Sequence, residues 1–116
     1  MNFNIMSNIQ TNESVKHYLA ESIIGEVETP NFLITITRAE CAPDFSVANV
    51  FVSVLPENFS GTALKNLRKK SSLLSKILKN KLKLIKGPYL NWEIDEDLKK
   101  FIRIEETLEE IKREQE

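Results

Sequence analysis

The chain predicts an α+β fold in which a three-stranded sheet packs against helices. Three observations carry that expectation. Two segments with alternating apolar residues flank a proline-containing turn, and a third alternating segment lies near residue 90. The stretches before, between and after them carry apolar residues three and four positions apart, the helical spacing. With 116 residues, 41% of them hydrophobic and 28% charged, the chain suits a single domain with one core.

Residues 1–10 show no clear period and read as a flexible arm. From Thr11 the spacing of Val15, Tyr18, Leu19, Ser22 and Ile23 predicts a helix over 12–25. Thr11 or Asn12 is placed to cap it, and Gly25 with Pro30 to stop it. Residues 32–40 then alternate, with Phe32, Ile34, Ile36 and Arg38 expected on one face and Leu33, Thr35, Thr37 and Ala39 on the other. Ala42-Pro43-Asp44 supplies turn chemistry. A second strand follows over 47–55, with Ala48, Val50, Val52 and Val54 on its inner face, so the pair reads as a hairpin.

Pro56 ends that strand, and Ser60 is a candidate N-cap. No proline or glycine lies between Thr62 and Lys86, where Leu64, Leu67, Ser71, Leu74, Leu78 and Leu82 fall near one helical face. A single helix over that stretch would run about 37 Å, long for so small a domain. Serine competes with the helix for backbone hydrogen bonds, so a break at Ser71-Ser72 and two consecutive helices are expected. Gly87-Pro88 stops the pattern. Tyr89 to Ile94 then reads as a third strand with Leu90, Trp92 and Ile94 inward, and a last helix is expected over 98–114, capped by Asp95 or Asp97. The expected order is α-β-β-α-α-β plus a C-terminal helix, all within one domain spanning 1–116.

Catalysis finds little support. His17 is the lone histidine and Cys41 the lone cysteine, so neither a catalytic pair nor a cysteine-paired metal site is indicated. No GxSxG, HExxH, P-loop or GxGxxG spacing occurs. The acids Asp95, Glu96 and Asp97 open a predicted helix, where capping and the helix dipole account for them. Neither an enzyme, a metal nor a cofactor is expected. One cysteine, no run of about 20 apolar residues and no charged leader ahead of an apolar stretch point to a cytoplasmic protein without a membrane span.

The net charge of −1 hides an asymmetry. Between Asn58 and Trp92 lie nine basic residues, Lys65, Arg68, Lys69, Lys70, Lys76, Lys79, Lys81, Lys83 and Lys86, and no acid. A solvated helix face explains scattered lysines, but an uncompensated run of this density fits a polyanion better. Neutralising phosphates releases counterions, a large sequence-independent contribution to affinity. Few aromatic residues stand nearby, so contacts to backbone and shape are expected in place of base stacking.

A hairpin, two abutting helices and another strand outline a KH domain, whose helix junction meets the nucleic-acid backbone through a GXXG loop. Here the junction reads Arg68-Lys69-Lys70-Ser71-Ser72-Leu73 and has no glycine. At this point the chain resembles the ribosome-binding factor A family. Ala42-Pro43-Asp44-Phe45-Ser46-Val47-Ala48-Asn49-Val50-Phe51-Val52-Ser53 is similar to that family's turn-and-strand signature, Ser-Pro-Asp-Leu, a short gap, then Ala-x-Val-Tyr-Val. Gly25 to Pro30 resembles its Arg-Glu-Ile-x-Asp-Pro element. Leu73 to Ile85, Pro88-Tyr89-Leu90 and Ile94 to Asp97 resemble its basic helix, Pro-x-Leu strand and Asp-x-Ser turn.

The resemblance spans about residues 12–112. It implies a type II KH-like fold in which an Ala-x-Gly kink replaces GXXG, and it puts that kink on Lys70-Ser71-Ser72, with lysine in place of the alanine and serine in place of the glycine. It also implies a non-catalytic protein without cofactor that binds free small ribosomal subunits through their rRNA; a monomer is expected. Late subunit assembly, rRNA 5′-end processing and cold adaptation come with it. The RNA-binding set expected here is Lys65, Arg68, Lys69, Lys70, Ser71, Ser72, Lys76, Lys79, Lys81, Lys83 and Lys86. Lys16 is the only lysine or arginine of the first predicted helix, so the contact is expected to rest on the later helices. The alternatives are a KH-like RNA binder or chaperone unconnected with ribosomes, and a protein-interaction module using its acidic last helix.

Overall fold

The computed structural model describes residues 3–96, and their elements run in the order α1 (Phe3–Glu26), β1 (Leu33–Cys41), β2 (Val47–Leu55), a 3-10 turn (Glu57–Phe59), α2 (Ser60–Leu82) and β3 (Tyr89–Ile94). The predicted C-terminal helix over 98–114, with Asp97, lies outside the described residues.

Strands β1 and β2 form the expected antiparallel hairpin, and β3 joins the other side of β2 in parallel. A parallel pair needs a long crossover, which α2 provides. At the hairpin turn Asp44 Oδ1 accepts from the Ser46 N–H (3.1 Å) and hydroxyl (2.7 Å). Those bonds hold its carboxyl below the usual carboxylate range.

Both helices lie on one face of the sheet. Val15, Leu19 and Ile23 of α1, Leu67, Leu74 and Leu78 of α2, Ala48, Val50 and Val52 of β2, and Leu90 and Trp92 of β3 share one buried cluster. Phe32, Val54 and Ala63 form a second, smaller one, with Phe59 stacked on Phe32. At about 1.5–3 kcal/mol for each buried aliphatic side chain, these clusters are what holds the helices to the sheet.

The structure departs from the sequence expectations in four places. The first concerns α1, which reaches back to Phe3 and runs through the segment expected to be a loose arm. Adding a residue to a helix already anchored by packing needs no new nucleus. Asn12 is therefore no cap, and its Oδ1 instead accepts the Cys41 N–H at 2.9 Å, tying α1 to the end of β1. Second, Ser60 is the first residue of α2 and donates its hydroxyl back to the Glu57 carbonyl, while Phe59 occupies the N-cap position.

Third, β1 does not alternate throughout. A bulge between Ile36 and Arg38 sends Ala39 into the core and Arg38 outward. The Thr37 hydroxyl at the bulge lies 2.6 Å from an Asp95 carboxylate oxygen and 3.1 Å from the Phe51 carbonyl. Strict alternation would have buried the Arg38 charge without a partner, a costly arrangement. With the bulge, its guanidinium sits 4.0 Å from the centre of the Phe51 ring on the outer face.

The fourth departure bears on function. In place of two helices meeting at Ser71-Ser72 there is one, α2, unbroken over 23 residues. Ser71 does take the backbone bond that serines seek, but it takes it inside the helix, donating to the Leu67 carbonyl at 3.1 Å. Its oxygen also accepts the indole N–H of Trp92 at 2.7 Å. Leu67 before it and Leu74 and Leu78 after it enter the same core, so packing holds both halves in one line.

Candidate nucleic-acid interface

The continuity of α2 decides how its charges are arranged. Along an α-helix, residues three and four apart share a face. Each of Lys65, Arg68, Lys69, Ser72, Lys76 and Lys79 has a neighbour in this set three or four positions away, and the six lie opposite the buried Ala63, Leu67, Leu74 and Leu78. All six are exposed. From Lys65 to Lys79 the stripe rises about 21 Å. A break at Ser71 would have turned the two halves of this stripe away from each other. One helix keeps them in line.

The other predicted contact residues are placed differently. Lys70 is half-buried on the flank of α2, and Ser71 faces the core with its hydroxyl engaged by Leu67 and Trp92. Lys81 is exposed in the last helical turn, where a cation also favours the helix dipole. Lys83 is the left-handed C-cap at φ 54°, and Lys86 is exposed in the connection to β3. The basic block thus resolves into a stripe on α2, Lys70 on its flank, and a smaller group, Lys81, Lys83 and Lys86, around its C-terminal end.

The stripe is not neutralised by any ion pair among the described residues. The two that occur there, His17–Glu21 at 3.4 Å and Arg38–Glu40 at 3.7 Å, lie elsewhere. Its orientation is held by contacts that sequence reasoning did not single out. Besides the Trp92–Ser71 bond, Ser75 donates to the Pro88 carbonyl at 2.6 Å. Gly87 sits so close beneath α2 that a Cβ there would lie 2.5 Å from Ser75 Oγ and 2.9 Å from the Ser75 carbonyl oxygen. One sequence signal was available for the first of these: a buried indole needs an acceptor for its N–H, and the only polar break in the inner stripe of α2 is Ser71.

The residues weighed for catalysis remain apart. His17 pairs with Glu21 on the exposed side of α1. Cys41 is half-buried at the end of β1, where desolvation pushes its thiol pKa up, away from the reactive thiolate. Asp95 is buried against Thr37. Among the described residues no three of His, Cys, Asp and Glu are grouped to hold a metal ion, and no helix is long and apolar enough to cross a membrane.

The family model described as ribosome-binding factor A matches residues 7–108. The chain belongs to the ribosome-binding factor A family. Ribosome-binding factor A of Agathobacter rectalis is 26% identical over 114 residues, covering 96% of this chain and 94% of the relative. That of Syntrophomonas wolfei is 31% identical over 104 residues, covering 86% and 85%. Among solved structures, the crystal structure of ribosome-binding factor A from Thermus thermophilus aligns with a TM-score of 0.67 at 25% identity, covering 75% of this chain and 94% of that one. A homology model of Thermus thermophilus ribosome-binding factor A, fitted into the electron-microscopy map of a complex with the 30S subunit, aligns at 0.62 and 26% identity, covering 71% and 88%. The α+β architecture seen here is that of the family's solved structures, and α2 runs unbroken through Lys70-Ser71-Ser72.

Proposed function

We propose that this chain is a maturation factor of the small ribosomal subunit, binding free subunits through rRNA and assisting late assembly and 5′-end processing without catalysing a reaction. The observation that carries the reading is the uncompensated basic stripe of α2 in a chain of the ribosome-binding factor A family. The Thermus relative fitted into a 30S complex supports the choice of partner. A protein that performs no chemistry changes an assembly pathway only by binding one RNA conformation more tightly than another. The same stripe would serve a general RNA chaperone, so the test must separate the two.

Sucrose-gradient fractionation of cell extract does so. Co-migration with free small subunits, together with accumulation of precursor small-subunit rRNA on depletion, is the expected result. An even spread over RNA of every size, with normal rRNA processing after depletion, would overturn the ribosomal assignment in favour of the chaperone.

A further inference from the structure

The unbroken α2 divides its outward charges into two groups. Lys65, Arg68 and Lys69 form one and Lys76 and Lys79 the other, with Ser72 alone on the same face between them. Their centres are about ten residues apart, or roughly 15 Å along the helix. Resting on the reading of this chain as an RNA binder, we propose that this face straddles the minor groove of double-stranded RNA, each basic group on one phosphate rail and Ser72 over the groove between them.

The alternatives fit the surface less well. The minor groove of A-form RNA is wide and shallow, presents 2′-hydroxyls, and is bounded by phosphates on both sides, whereas its major groove is too deep and narrow for side chains to read. The B-DNA minor groove, about 6 Å wide, does not admit a helix. Single strands are held by stacking on aromatic rings, and residues 60–82 contain no aromatic residue. A KH-type capture of single strands would need the close backbone approach of a GXXG loop, and α2 passes that point as regular helix. A small hydroxyl at Ser72 lets the helix lie close to the groove and can bond a 2′-hydroxyl, which DNA lacks.

Fluorescence anisotropy with the full chain tests this, using a 16-base-pair RNA duplex, one of its strands in unstructured form, and the DNA duplex of the same sequence. The RNA duplex should bind about tenfold more tightly than either competitor, a difference of about 1.4 kcal/mol. Its affinity should fall with salt at a logarithmic slope of roughly −4.5, as expected for about five phosphate contacts. Reversing either group alone, as Lys65→Glu/Arg68→Glu/Lys69→Glu or Lys76→Glu/Lys79→Glu, should remove the duplex preference. Ser72→Ala should narrow the RNA-over-DNA ratio and leave the salt slope unchanged.

Equal or tighter binding of the single strand by the unmodified chain would overturn the proposal, and that comparison does not depend on how any variant folds. So would full duplex affinity in either reversed variant. Co-sedimentation with small subunits but no duplex preference would overturn this inference and leave the proposed function standing. Absence of both would overturn both.

Discussion

The two faces of α2 are built on opposite terms. Its inner face carries Ala63, Leu67, Leu74 and Leu78, buried, together with Ser71, whose hydroxyl serves both the Leu67 carbonyl and the Trp92 indole. Its outer face carries five cations and Ser72, all exposed, and the cations pair with no carboxylate among the described residues. The inner face sets where the helix lies, and what the outer face displays is thereby left open to a partner. The comparison also explains how a serine can stand where a helix break is expected: the side of the helix it faces decides whether it competes with the backbone or satisfies a neighbour.

Substitutions on the two faces should separate in stability, and the separation can be broken by experiment. Leu74→Ala should cost most, about 2–5 kcal/mol, since it opens a cavity where α2 meets the sheet. A denaturant midpoint within error of wild type would show that the inner face does not anchor the helix. Ser71→Ala should cost about 1–3 kcal/mol, because the Trp92 indole N–H, buried with its ring, is left without an acceptor. Trp92 fluorescence and thermal melting report that loss, and an unchanged spectrum would argue that the bond is idle.

Gly87→Ala is expected to cost about 1–3 kcal/mol by forcing the β3 connection away from Ser75. Retention of wild-type stability would mean that the connection yields freely and does not fix α2. At the bottom of the scale, Lys65→Gln with Lys76→Gln should change stability by less than about 0.5 kcal/mol. A large loss in calorimetry would bring the outer face into the fold after all.

Much of the molecule was legible in the sequence. β2 and β3 begin and end where their alternation does, and Ala48, Val50, Val52 and Val54 all point inward. Those strands are short and buried on one side, so the period of two is dictated by the core. The residues of the basic block were equally plain, because charge needs no geometry to be counted. β1 was harder to read, since a bulge adds a residue without altering composition, and nothing local distinguishes Thr37 from its neighbours.

What the sequence alone determined, then, is the three strands, the leucine stripe of α2 and the density of positive charge between Asn58 and Trp92. Whether that charge sits on one helix or two was decided by tertiary structure. Leu67, Leu74 and Leu78 pack into one core on either side of Ser71, whose hydroxyl meets Trp92 21 residues on in the chain, and no window of local periodicity contains these partners as neighbours. Long-range packing turned a predicted break into an interior turn, and aligned the basic groups on either side into a single face.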